Sequence, residues 1–238
     1  MRASSVLIFS AALLHRSFSS GLRSPLIMAT AERVRFVTNT KCPYAQRTWI
    51  ALEECGIEYE MVEIDLYGSG GKPRWFMELN PKGEVPVLVA DGNPIIGSEE
   101  TIDYLMPGAF NSVEHRTLSS RWRAVINNEL KPEGKKAVLS GGSSADRAGL
   151  VAVLGDLDAC LADDSVARAG RGDAEGSGPF VCGAAFTAAD ASAFPFLQRV
   201  REEFGFPASC ARLEEWYAVA SCRPSVRKTV RKNWWWWW

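Results

Sequence analysis

Apolar and polar positions between residues 33 and 106 change period from segment to segment. In 33–38 (Arg-Val-Arg-Phe-Val-Thr), Val34 and Phe36 share one face at period two, which predicts a short strand. A turn at Asn39-Thr40-Lys41 leads to Cys42-Pro43. Proline suits the first turn of a helix, because the N–H it lacks would have no partner there. The predicted helix runs from Pro43 to about Cys55 and stops at Gly56, a C-cap residue. Ala45, Trp49 and Leu52, at i, i+4 and i+7, are expected to face a sheet, with Arg47, Glu53 and Glu54 left in water. Residues 59–66 are rich in strand formers, so 33–66 reads as a β-loop-α-β unit with parallel strands and a right-handed crossover. A short helical turn is expected over 72–79. Strands over 85–89 and 94–96 follow, joined by the hairpin signal Asp91-Gly92-Asn93. Ser98 opens a helix whose first turn holds Glu99 and Glu100, where the helix dipole favours acids, and which ends near Met106-Pro107-Gly108.

Beyond that point the strand signals stop. Residues 113–165 predict two long helical stretches split by a Gly/Ser run at 140–144. A Gly/Ala/Asp-rich loop covers 166–178. Thr187-Ala188-Ala189-Asp190 reads as a capping box before an apolar helix over 191–200, and a further helix covers 210–222, before Arg223-Pro224. The pattern is an α/β domain over 32–107, a short linker, and an all-α domain over 113–230, with no internal repeat.

Composition narrows the function classes. The 238 residues carry 27 basic and 28 acidic side chains, a net charge of −1, and are 47% hydrophobic. That balance argues against nucleic-acid binding through bulk charge and against disorder. The longest apolar run, 6–14, is about half the roughly 20 residues a membrane helix needs. Six scattered cysteines do not resemble a disulfide framework, and with two histidines, His15 and His115, no metal site with paired-ligand spacing is expected. Residues 1–31 hold seven serines and three arginines and no acid, the composition of an organelle presequence. Mitochondrial targeting is the expectation; a plastid address, a secretory signal and cytoplasmic translation from Met28 are the alternatives. The chain ends in five tryptophans, Trp234 to Trp238, in a tail over 231–238 with no amphipathic period. Indoles favour a membrane interface, but the run is read as carrying no function.

Cys42 holds the candidate chemistry. A cysteine before a proline at a helix N-terminus faces unpaired N–H groups and the positive end of the dipole. Such placement lowers a thiol from about 8.5 towards roughly 3.5–7.5 and yields a thiolate for disulfide exchange. Position 45 is Ala, so the motif has no second thiol. Cys55 lies about 20 Å along the same helix, beyond the roughly 7 Å that a disulfide tolerates. An outside thiol must therefore resolve any mixed disulfide, and glutathione is the obvious supplier.

Read in order, Cys42-Pro43-Tyr44-Ala45-Gln46-Arg47, Lys72-Pro73-Arg74-Trp75-Phe76, Asn80-Pro81-Lys82-Gly83, Val85-Pro86-Val87-Leu88 and Ser98 resemble cysteine-type glutathione transferases. The omega and lambda classes look nearest, with the dehydroascorbate reductases close by. The resemblance extends through Phe186-Thr187-Ala188-Ala189-Asp190, Pro195 and Arg223-Pro224-Ser225, about 33–230 in all. It implies a thioredoxin-like N-terminal domain followed by an all-helical C-terminal domain. It also implies glutathione as co-substrate, no metal, and a homodimer. Cys42 would be the catalytic nucleophile. Pro86 would be a cis-proline that presents the backbone of Val85 to the cysteinyl unit of glutathione. Ser98 would bind the γ-glutamyl carboxylate and Lys72 another carboxylate, with Tyr44 and Gly97 also lining the site. One departure stands out. The family places an acid before the serine, and here Gly97 occupies that position, with Glu99 or Glu100 the available substitutes.

Other readings fit less well. In Gly70-Gly71-Lys72 a phosphate loop lacks its first glycine, where Leu66 stands, and has Pro73 in place of the hydroxyl residue. A cysteine protease would have only His115 outside the leader as its base. Cys160, Cys182, Cys210 and Cys222 read as buried small hydrophobes. The expected activity is a Cys42-dependent thiol transfer or reduction acting on a small disulfide, electrophile or dehydroascorbate-like substrate. A non-catalytic binder of glutathione conjugates or apolar ligands and an ordinary conjugating transferase are the alternatives.

Overall fold

In a computed structural model, which describes residues 34–107, 113–141, 147–162 and 179–231, the first half builds a four-stranded sheet of order β2-β1-β3-β4. The expectations for 1–31, most of the break at 140–144, the loop at 166–178 and the terminal tryptophans lie outside those residues. β1 (Val34–Thr38) pairs parallel with β2 (Tyr59–Glu63), Val34 opposite Tyr59, through the crossover helix α1 (Pro43–Glu54). β3 (Val87–Ala90) runs antiparallel to β1, Phe36 opposite Leu88, and β4 (Asn93–Ile96) antiparallel to β3. Asp91 and Gly92 join them at φ +50° and +75°, the left-handed pair that a two-residue hairpin turn requires. β2 stops short of the expected residue 66, because the Asp65 carboxylate accepts the N–H groups of Tyr67 and Gly68 and turns the chain. β3 starts at Val87 because Pro86 has no ladder donor. α2 (Arg74–Leu79) bridges to β3, and α3 (Ser98–Leu105) returns beside α1.

The second half is helical. α4 (Val113–Val125), a π-helical turn (Ile126–Leu130) and α5 (Lys131–Leu139) form one continuous run. Pro132 lacks the N–H that would bond one turn back, and the wide turn lies just before it. α6 (Ala148–Ala162), α7 (Ala188–Phe204), α8 (Ala211–Cys222) and α9 (Pro224–Thr229) complete the bundle. α1 is packed against α3, α7 and α9 as well as lying on the sheet, so it has no wet face. Ala45, Trp49 and Leu52 are buried as expected, but so is Arg47, at 1% exposure. Glu53 and Glu54 pair with Lys228 and Arg223 on and beside α9 and are only partly exposed, a second departure from the expected wet face.

α7 is the axis of the bundle, with every residue from Ala188 to Val200 buried. Its capping box forms as the sequence predicts. Thr187 donates its N–H to Asp190 Oδ2 at 2.8 Å, and Thr187 Oγ1 accepts from Ala189 N at 3.3 Å. Asp190 does more than cap. Its Oδ1 accepts the Val181 N–H at 3.0 Å and the Trp216 indole N–H at 2.8 Å, fastening the segment before α7 and helix α8 to one buried carboxylate. All six cysteines are free thiols. Cys160, Cys182 and Cys210 are buried as expected, whereas Cys222, at the end of α8, faces solvent.

Asp190→Ala leaves the Val181 N–H and the Trp216 indole N–H without partners inside the core, at a cost of about 1–3 kcal/mol for each orphaned group. The urea-unfolding midpoint should fall by an amount equivalent to roughly 3 kcal/mol or more, and an unchanged midpoint would contradict this account of α7.

Candidate active site

The turn between β1 and α1 is fastened before the helix begins. Asn39 donates from Nδ2 to the Ile64 carbonyl at 2.9 Å, and its Oδ1 accepts the Lys41 N–H at 3.0 Å. Thr40 N–H binds Glu63 Oε1 at 2.9 Å, and Cys42 N–H binds the Asn39 carbonyl at 2.9 Å. Cys42 is thereby set as the N-cap of α1 in extended backbone, with Pro43 in the first turn. The backbone N–H groups of Ala45 and Tyr44 point at its sulfur.

The expected depression of the Cys42 thiol is not what the structure gives. Burial pushes it up from its ordinary value, and the two N–H groups together with the charges of Arg199 and Arg47 offset this only in part. Cys42 keeps an open face, but protein surrounds the rest of it, and desolvation of a thiolate there outweighs the helix terminus. Arg199, on α7, is itself buried and brought down to about 10. Its guanidinium donates to the Pro195 carbonyl and to Gln46 Oε1, at 2.6 and 2.7 Å, and approaches the Lys41 carbonyl at 3.4 Å. The helical half thus supplies a fixed positive charge beside the residue that precedes Cys42.

All seven residues singled out from sequence, Cys42, Tyr44, Lys72, Val85, Pro86, Gly97 and Ser98, line one cavity of about 500 Å³. Leu66, Tyr67, Gly83, Glu84 and Ile96 complete its wall. The Val85–Pro86 peptide is cis, and neither the N–H nor the C=O of Val85 has a backbone partner among the described residues. Lys72 lies over Gly83, where an added Cβ would stand 2.9 Å from Nζ, so the glycine makes room for the lysine. A second cavity, of about 620 Å³, opens on Cys42 from the side of Asn39, Lys41 and Asp65 and shares Leu66 and Tyr67 with the first. Tyr44 packs edge-on against Phe196 at 5.2 Å, with Lys131 Nζ 4.8 Å from its ring centre. Burial pushes the Tyr44 phenol up, so it stays protonated at neutral pH, and burial together with the Arg47 charge brings Lys131 down to about 8.

Ser98 differs from its expected role as a cap. Gly97, at φ +104°, is the N-cap of α3, and Ser98 is the first helical residue. The Ser98 hydroxyl accepts from Arg47 Nη1 at 3.2 Å, which leaves its own proton to donate. Arg47 is the residue that the sequence reading missed most clearly. Its Nε donates to the Ser192 carbonyl at 2.7 Å, Nη1 also to Glu99 at 2.8 Å, and Nη2 to Asn127 at 3.0 Å. Burial lowers it to about 10 while Glu99 opposes that fall. Glu99 also takes Arg123, Asn127 and Ser192. Burial alone would raise the Glu99 carboxyl, but the charges of Arg47 and Arg123 and the Asn127 hydrogen bond hold it below its ordinary value. The available signal was Arg47 standing one turn before Ile50 and one after Pro43, among apolar residues.

With the thiol raised, the rate of iodoacetamide labelling at Cys42, located by mass spectrometry, should keep climbing through pH 9. Arg199→Gln should move that profile further up, and Arg199→Lys should retain most of the wild-type behaviour. A plateau below pH 8 in wild type would contradict this. For Glu99 the folded-state value is depressed, so its stabilising share is present above the ordinary carboxylate range of about 4.3 and is lost as pH falls through the lower folded value. The stability difference between wild type and Glu99→Gln in urea should accordingly be largest near neutrality and shrink below about pH 4.

The profile of the glutathione S-transferase N-terminal domain matches residues 41–106, and that of the glutathione S-transferase C-terminal domain matches 137–218. Glutathione S-transferase omega-1 of Mus musculus is 40% identical over 74 residues, a stretch that spans 31% of this chain and only 30% of the relative's length. Glutathione S-transferase DHAR2 of Arabidopsis thaliana is 28% identical over 169 residues, 69% of each protein. The crystal structure of glutathione transferase Omega 3C from Trametes versicolor superposes with a TM-score of 0.69 at 22% identity, over 86% of this chain and 91% of that one, a likeness of fold. A thioredoxin-like mixed sheet followed by a helical bundle, each half matched by the corresponding domain profile, places this chain in the glutathione S-transferase family.

Proposed function

We propose that this chain is a glutathione-dependent thiol transferase or reductase with Cys42 as nucleophile. The observation that carries this reading is a free thiol at the start of α1 that opens into the cavity holding the cis Val85–Pro86 peptide. The unpartnered N–H and C=O of Val85 would pair with the cysteinyl backbone of glutathione like a rung of a sheet and bring its sulfur towards Cys42. Ser98 and the N-terminus of α3 would take the γ-glutamyl carboxylate, and Lys72 the carboxylate at the glycyl end. The Tyr44 phenol, protonated at neutral pH, is a donor in the same wall.

The chemistry runs in two exchanges. The Cys42 thiolate attacks the glutathione sulfur of a mixed disulfide; the new bond forms between Cys42 and glutathione, and the substrate leaves as a thiolate that takes up a proton. A second glutathione thiolate then attacks the bound glutathione sulfur, releasing oxidised glutathione and restoring Cys42. With dehydroascorbate, two glutathione molecules supply the two electrons and two protons. No internal thiol competes at the second step, since Cys55 sits at the far end of α1 with its sulfur donating to the Leu105 carbonyl at 3.3 Å. A raised thiol gives less thiolate at pH 7, but such a thiolate is intrinsically more nucleophilic, which recovers part of the rate.

A second reading, binding of glutathione conjugates without turnover, draws on the burial that lifts the Cys42 thiol. Turnover of β-hydroxyethyl disulfide with glutathione separates the two. Cys42→Ser should lose roughly 100-fold or more if the cysteine is the nucleophile. Glutathione binding with no turnover in either protein would favour the binder. Chlorodinitrobenzene conjugation that survives Cys42→Ser would favour an ordinary transferase.

A further inference from the structure

Gln46 is buried in α1, one turn after Cys42, yet lines neither of the two cavities that open on the thiol. A primary amide out of water needs partners for both its oxygen and its nitrogen. Arg199 Nη1 donates to Gln46 Oε1 at 2.7 Å. Gln46 Nε2 donates to Gln198 Oε1 on α7 at 3.2 Å and approaches Thr229 Oγ1, at the end of α9, at 3.4 Å. Gln198 Nε2 in turn donates to Glu202 Oε1 at 2.9 Å.

The direction of this string is fixed at both ends. A guanidinium can only donate, and a carboxylate can only accept. Arg199 therefore selects the oxygen of Gln46, and Glu202 selects the nitrogen of Gln198, so a single orientation of the two amides satisfies the whole string. The Pro195 carbonyl ties Arg199 to its own helix, α7, whereas Gln46 ties it to α1, the helix that Cys42 opens. The Gln46 N–H also binds the Cys42 carbonyl at 2.9 Å, so one residue grips both the turn and the cation.

We propose that Gln46 is a positioning residue for the Cys42 chemistry: braced by Gln198 and Thr229, its amide oxygen keeps the Arg199 guanidinium against the turn that presents the thiol. The proposal rests on the reading of Cys42 as nucleophile and deepens it. Arg47 and Arg199 both favour the thiolate, and Tyr44 is coupled to it. Lys41, Asp65, Tyr67, Lys72 and Glu84 stand in the walls of the two cavities. Of these groups Arg199 is the one bonded to the Gln46 side chain, and Glu202 is the acid that bears on Arg199. A neutral acceptor holds the cation without cancelling its charge, as a carboxylate at position 46 would.

The test is the pH profile of iodoacetamide labelling at Cys42 in the full chain, with wild type set against Gln46→Met, alone and combined with Arg199→Gln. Methionine keeps the length of the side chain but has only a weak acceptor. Gln46→Met should move the profile up by about half a pH unit, a roughly threefold slower reaction at pH 7. In the Arg199→Gln background the same substitution should add nothing, because it acts through that charge. A Gln46→Met profile that does not move up, or a shift that persists without Arg199, would overturn the proposal. Where urea unfolding finds Gln46→Met unfolded, Gln198→Met removes the brace on α7 and is read by the same two criteria. Labelling needs no glutathione and so judges Gln46 alone, whereas β-hydroxyethyl disulfide turnover that does not need Cys42 overturns the nucleophile reading instead.

Discussion

Arg47 leaves α1 little more than one turn after Cys42 and bonds its guanidinium to three other elements of the chain. Its donors reach α3 at Ser98 and Glu99, the π-helical turn at Asn127 and the α7 backbone at Ser192. A planar fork with five donors can satisfy such a set at once, where a lysine would supply only a point charge. The desolvation cost of this buried cation is offset by Glu99 and by the faces of Phe196 and Tyr44, at 4.6 and 5.7 Å. A fully bonded guanidinium of this kind fixes geometry more than it adds stability. Here it sets the start of α3, the start of α1 and the axis of the bundle relative to one another, and the candidate site lies where the first two meet.

Cys42 stands in a balance of opposed terms. The helix terminus, Arg199 and Arg47 favour the thiolate, and the protein packed around the residue disfavours it. Fixed donors and fixed charges cost no reorganisation when the thiolate forms, and that is their use in a half-buried site. The two cavities that meet at Cys42 give the sulfur two approaches, with Leu66 and Tyr67 as their shared wall. Both residues come from the segment after β2 that the Asp65 turn shapes, so the loop rather than the sheet divides the space.

Much of the fold was legible because its signals are local. Pro43 and Gly56 bracket α1, Asp91-Gly92 turns the hairpin, and Thr187 with Asp190 caps α7; each acts within about four residues. The seven candidate site residues also emerged from a motif order, and the cavity gathers all of them. Less legible was everything that depends on what packs against what. Arg47, Glu53 and Glu54 read as a wet face because a helix lying on one sheet has one, and α7 and α9 cover that face in this chain. Glu99 and Glu100 are adjacent and chemically identical in sequence, yet one is half-buried in a four-partner network and the other is exposed beside Gly97.

By itself, then, the order of residues determined the elements, the two-part architecture and the placing of a thiol at a helix start, because propensities, caps and turns are decided by near neighbours. Only the tertiary structure decided how that thiol titrates, which acid is spoken for and which arginine is submerged. Those properties depend on solvent exclusion and on charges that arrive from residues some 50 to 150 positions away, as Glu99 does for Arg47 and Arg199 for Lys41.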